Sequence, residues 1–181
     1  MKNNENNNKF EEKIQGEYGV FQDIFKYVDK TSKKLISSNN AIEKENKLVL
    51  DNMTNMDYFL EAEERISKLL ADSAKDLNKI SNEYEEEMGE NKEFRSKSIN
   101  SLLSSDNHDD EVLGLIVKFN KYFEEKSSFI ENYINMYIKT TNDFPVSDDS
   151  YGKSVKKLLI EYNRILNNLK LIRMEINDLK N

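Results

Sequence analysis

From residue 14 to residue 84, every seventh position is apolar with one exception. The series is Ile14, Phe21, Val28, Leu35, Ile42, Val49, Met56, Glu63, Leu70, Leu77 and Tyr84. Only Glu63 breaks it. A sustained sevenfold apolar repeat is the pattern of helices packed along a seam. No Pro interrupts residues 10–88, and the only glycines there are Gly16 and Gly19. The companion seam position is apolar near both ends (Ile24 and Phe25; Phe59, Leu60, Ile66, Ala74, Ile80). Between them it turns polar, at Thr31 and Ser32, Ser38 and Asn39, Glu45 and Asn46.

Two readings follow. In the first, one helix runs over 10–88, about 115 Å long at 1.5 Å per residue. In the second, Ser37-Ser38-Asn39-Asn40 is a turn, with Asn40 capping a new helix and Glu43 three residues on, close to a capping box. The unbroken sevenfold phase favours the continuous helix, because a turn normally resets the register.

Beyond Gly89 the pattern weakens over 91–103 and reads as a loop over 104–110. A second strong helix is predicted over 110–140, with its seam at Val112, Ile116, Phe119, Phe123, Lys126, Ile130, Tyr133 and Tyr137. It ends before Phe144-Pro145, since the residue preceding a proline is disfavoured in helix. A third is predicted over 153–180, with Val155, Leu158, Tyr162, Ile165, Leu169, Ile172, Ile176 and Leu179 on its seam. The expected fold is therefore all-α, of coiled-coil or helical-bundle type: an antiparallel helical hairpin packed on a long N-terminal helix. The alternative is a lopsided four-helix bundle with a turn at 37–40. Residues 1–9, mostly Asn, are expected to be a disordered tail before a single elongated helical domain over 10–181. On the first reading some 50 residues of seam extend beyond the hairpin and need a second chain to cover them.

Composition narrows the function classes. The 181 residues carry 27 basic and 34 acidic side chains, a net charge of -7, with 37% apolar and 34% charged residues. The charge is uneven: residues 151–181 hold seven basic and three acidic side chains. The acidic total argues against general nucleic-acid binding, which needs a basic footprint. Without cysteine there is no disulfide, thiolate metal site or cysteine nucleophile. No stretch approaches the roughly 18–20 apolar residues of a membrane span, and MKNNENNNKF does not read as a secretory signal. The expected location is the cytoplasm.

The only histidine, His108, stands in Asp106-Asn107-His108-Asp109-Asp110-Glu111. This stretch lacks the glycine and distant glutamate of an EF-hand loop and falls short of a zinc set, so it reads as a solvated loop with helix-capping acids. Glu83 to Glu90 reads as a solvated acidic face. No catalytic residue, cofactor or metal is assigned. The aromatics of the second strong helix mostly lie on its seam, with Tyr122 and Phe129 beside it as contact candidates. Glu63 and Lys126 occupy seam positions, either fixing register or reaching out to water from the flank. The candidate partner-binding residues are thus Val28, Leu35, Ile42, Val49, Met56, Glu63, Tyr122 and Phe129. The main reading is a non-enzymatic structural or adaptor protein associating through helices with itself or a helical partner. The alternative is a small acidic helical chaperone or accessory factor, of the secretion or flagellar-export type, binding an amphipathic client segment. A third is a peripheral membrane-binding helical dimer using Lys153, Lys156, Lys157, Arg164, Lys170 and Arg173; membrane contact ranks last because of the net charge.

Overall fold

A computed structural model describes residues 21–52, 54–104, 110–143 and 148–180. Four helices account for nearly all of them: α1 (Gln22–Asp51), α2 (Met56–Ser104), α3 (Asp110–Asp143) and α4 (Ser150–Lys180). They form a packed four-helix bundle. The expected tail at 1–9 and the His108 loop lie outside the described residues.

Over its described part, from residue 21 on, the helix expected over 10–88 is two helices. The chain turns at Asn52–Asn55, and neither the continuous helix nor a turn at Ser37–Asn40 is found. The turn is built from asparagine chemistry. Asn52 closes α1, its side-chain Nδ2 donating to the Leu48 carbonyl at 2.9 Å and its backbone N–H to the Val49 carbonyl at 3.1 Å. Asn55 opens α2, its Oδ1 accepting from the N–H groups of Asp57 at 3.1 Å and Tyr58 at 3.3 Å. These side chains satisfy backbone groups that a helix end leaves unpaired. The sevenfold series survives because Val49 and Met56 are seven positions apart across the turn. The linker length happens to preserve the phase that a turn usually resets.

Ser37 to Asn40 are helical, and Ser37, Ser38 and Asn39 make side-chain hydrogen bonds without a turn. Ser37 Oγ donates to the Lys34 carbonyl at 3.4 Å, and Asn39 Nδ2 to Glu43 Oε1 at 3.2 Å. Ser38 Oγ meets Ser73 Oγ of α2 at 2.8 Å. The polar middle of the seam is where small side chains join α1 to α2.

Directions follow from paired positions. On α1 and α2, Tyr27 meets Ser81, Ser38 meets Ser73 and Glu45 meets Arg65, so the two run antiparallel. On α2 and α4, Ser67 meets Ser154, Asn78 meets Glu161 and Arg95 meets Glu175, so they run parallel. Phe21 stacks on Phe119 and Phe25 on Tyr122, which sets α3 parallel to α1. The helices therefore alternate in direction along the chain, with α2 beside α1 and α4 and diagonal to α3.

The core is formed by the seams. Val28, Leu35, Leu70, Leu77 and Tyr84 from the sevenfold series are buried, as are Phe119, Phe123 and Ile130 of α3. In α4, Val155, Leu158, Tyr162, Ile165, Leu169, Ile172 and Ile176 are all buried. On α3 the burial track runs through Ser127 and Ile134, so Lys126 is only half-buried and reaches over the Tyr122 ring.

The weak stretch 91–103 is the continuation of α2, which passes through Gly89 without a break and is 49 residues long. An added Cβ at Gly89 meets nothing within 4 Å. Glycine inside a helix costs conformational entropy that alanine does not. Gly89→Ala is therefore expected to stabilise the fold by about 0.5–1 kcal/mol, seen as a higher urea midpoint.

Candidate functional site

The sevenfold series changes character along its length. Phe21, Val28 and Leu35 are buried, Ile42 and Val49 half-buried, and Met56 is 72% exposed. Glu63 is half-buried, and Leu70 onward is buried again. The cause is the position of α4. Its first residue, Ser150, lies beside Ser67, with the two hydroxyls 3.5 Å apart. Residues 56–66 of α2, about 16 Å of helix, and the facing end of α1 thus extend past the start of α4. Among the described residues, α4 meets the tip through its first turn, where Ser150 and Lys153 line a groove together with Glu61, Glu64 and Arg65.

Five of the thirteen exposed large hydrophobic side chains among the described residues fall between Leu48 and Leu60. Met56, Phe59 and Leu60 recur at helical spacing, so they share one face of α2. Phe59 is 50% and Leu60 57% exposed. The α2 residues that meet α4 include Ser67, Asn78 and Glu85. Carried back from Ser67 by seven and eleven positions, that track passes through Leu60 and Met56. The exposed face at Met56 and Leu60 is the α4-facing track of α2 carried past Ser150, the first residue of α4.

The tip is braced from within. Arg65 Nε donates to Glu45 Oε2 at 3.1 Å across the hairpin, and the guanidinium sits 5.3 Å from the centre of the Tyr58 ring. Ala62 is buried. Residues 44–66 hold six acidic and three basic side chains. Where the tip joins the bundle, a groove of about 620 Å³ opens between α2 and α4, lined in part by Glu61, Glu64, Lys68, Ser150, Lys153 and Lys157.

The other candidates are placed elsewhere. Val28 and Leu35 are enclosed by the chain's own helices. Tyr122 is half-buried, its ring stacked on Phe25 at 4.9 Å between centroids. Phe129 is 40% exposed and tilts against Tyr133. Phe59 and Leu60 were visible on the companion seam but belonged to no candidate set. Only the place where α4 begins marks them out.

At the opposite end of the bundle, Arg95 is 1% exposed and lies between two carboxylates. It donates through Nε to Glu175 Oε1 at 2.9 Å, through Nη2 to Glu175 Oε2 at 3.0 Å, and through Nη1 to Asp23. Burial pushes the Asp23 carboxyl above its usual range, with Arg95 opposing the rise. Higher up, Arg164 holds Glu85 below the usual carboxylate range by hydrogen bonding. Burial pushes the hydroxyls of Tyr27, Tyr84, Tyr137 and Tyr162 above their usual range. Among the described residues, no group of three or more His, Cys, Asp or Glu is placed to hold a metal ion. None of the described helices is long and apolar enough to cross a membrane.

No family model, curated protein or solved structure matches this chain.

Proposed function

We propose that the chain is a small, non-enzymatic helical accessory protein that binds an amphipathic segment of another protein at the α1–α2 tip. The observation that carries this reading is the uncovered core track at Met56, Phe59 and Leu60. A seam that is buried at Leu70 and Leu77 continues past Ser150, the first residue of α4, to Leu60 and Met56. Exposed contiguous apolar surface bordered by charge is typical of interaction sites, and a helix laid in such a seam is a common recognition mode. The charged groups best held for chemistry elsewhere are engaged in structure, as with Arg95 between Asp23 and Glu175.

The chaperone-like reading is favoured over self-association along the whole sevenfold seam, because Val28, Leu35, Leu70, Leu77 and Tyr84 are already enclosed. It is favoured over membrane-surface binding because α4's arginines are engaged within the bundle. Arg164 pairs with Glu85, and Arg173 bonds Glu131 at 2.8 Å and Glu124 at 3.2 Å.

The test is the double variant Phe59→Ser/Leu60→Ser against a designed amphipathic helix of mixed flanking charge, followed by fluorescence anisotropy. Both side chains are exposed, so thermal unfolding should be nearly unchanged. Affinity should fall at least about tenfold, since two apolar anchors are lost. Equal binding by the variant removes the tip as the site.

A further inference from the structure

We infer that the occupant of the tip is a cationic amphipathic helix lying in line with α4, so that it continues the bundle where α4 begins. The inference rests on the tip-binding reading and adds the partner's charge and pose. Two observations carry it.

The first is charge. The α2 residues around the apolar track are Asp57, Glu61, Glu63 and Glu64, with no basic residue before Arg65. Arg65 is engaged by Glu45. Asp57, Glu63 and Glu64 form no ion pair among the described residues, and Glu61 reaches only Arg65, at 4.0 Å. Glu61 and Glu64 also line the groove that holds Lys68, Lys153 and Lys157, but four carboxylates on and beside the apolar stripe, against one arginine already engaged, favour lysine and arginine on the helix that covers it. Opposite charges across a rim steer encounter and fix register. The same charge disfavours a second copy docked tip to tip, because like charges would face each other. It also disfavours an anionic lipid surface.

The second is direction. Met56, Leu60 and Ser67 belong to one track on α2, and Ser67 is where α4 first touches it, through Ser150 and Ser154. A helix covering Met56 and Leu60 therefore occupies the line that α4 takes below Ser67. It packs against α2 as α4 does, and one of its ends meets the groove lined by Glu61 and Glu64 together with Lys68, Lys153 and Lys157.

The test is selection from a displayed library of helices about fourteen residues long, enough to span the tip. The apolar stripe is fixed and the flanking positions are randomised; the full chain is the bait. Selected helices should be enriched in lysine and arginine at the flanks. Changing those residues to glutamate, or Glu61→Lys/Glu64→Lys in the protein, should each weaken binding about tenfold, and the difference should shrink in high salt. A selection without cationic enrichment overturns this inference and leaves the tip reading standing. Binders that hold equally to Phe59→Ser/Leu60→Ser, or no selection at all, overturn both. A dimer in light scattering that disappears in the same variant identifies a second copy as the occupant and overturns the cationic partner. The pose is read by photo-crosslinking. A crosslinker at position 153 should capture the bound helix, whereas capture from position 47 alone places it across α1 and overturns the alignment with α4.

Discussion

Replacing Arg95 with methionine is expected to destabilise the fold by about 3–5 kcal/mol, the cost typical of breaking a buried ion pair by removing one partner. The guanidinium is 1% exposed and is the only cation among the described residues bonded to either Asp23 or Glu175. Without it, two carboxylates share a desolvated space at the junction of α1, α2 and α4. Methionine keeps much of the apolar stem, so the loss reports charge more than volume. Urea unfolding of the variant measures it. Converting all three residues together, Asp23→Leu, Arg95→Met and Glu175→Met, should recover most of the loss, since apolar replacement of a whole buried ionic group is often neutral. The deficit should also depend on pH. Burial already pushes the Asp23 carboxyl up. A raised carboxyl favours the folded state most when protonated, and that contribution fades as pH rises through the raised value. Removing Arg95 takes away the charge that opposes the rise, so the variant's deficit should be smallest in acid and grow toward neutral pH. A deficit constant across that window would make the loss one of packing rather than charge.

The helices were legible in the sequence because apolar spacing is a local property. The α4 seam from Val155 to Ile176 is buried at each position it predicts. What was not legible depends on where the chain reverses. Two polar stretches compete as turns, Ser37–Asn40 and Asn52–Asn55, and the first looks stronger by composition. The difference lies in partners supplied by the fold: Ser38 finds Ser73 across the hairpin, while Asn52 and Asn55 find only backbone ends to cap. A signal did exist, in Asn55 followed by Asp57, an N-cap with an acid in the first turn. The phase continuity from Val49 to Met56 concealed it.

The ionic cluster was beyond sequence reasoning for a different cause. Asp23, Arg95 and Glu175 are separated by 72 and 80 residues, and each alone resembles many other charged positions. The tip was legible in part. Val49, Met56 and Glu63 stood out as seam residues, but their exposure follows from the level at which α4 starts, which no local pattern encodes. Once the turn is placed at Asn52–Asn55, the length of α2 beyond Ser67 fixes which seam residues lack cover.

Leu35→Ala and Met56→Ala are then expected to differ sharply, although both residues belong to the same sevenfold series. Leu35 is 1% exposed, and truncating a buried leucine costs about 2–5 kcal/mol through lost transfer energy and the cavity left behind. Met56 is 72% exposed and should change stability by less than about 0.5 kcal/mol. Chemical denaturation of the two variants, at matched concentration, measures both. A single long helix buried along its whole seam predicts similar large losses at the two positions, so equal costs would restore that architecture. Unequal costs leave Met56 free of any role in holding the fold, and its apolar character is then accounted for by what the tip covers itself with. On this view one repeat has two uses: where α4 is present it builds the core, and where α4 has not yet begun it offers the same geometry to a helix from outside.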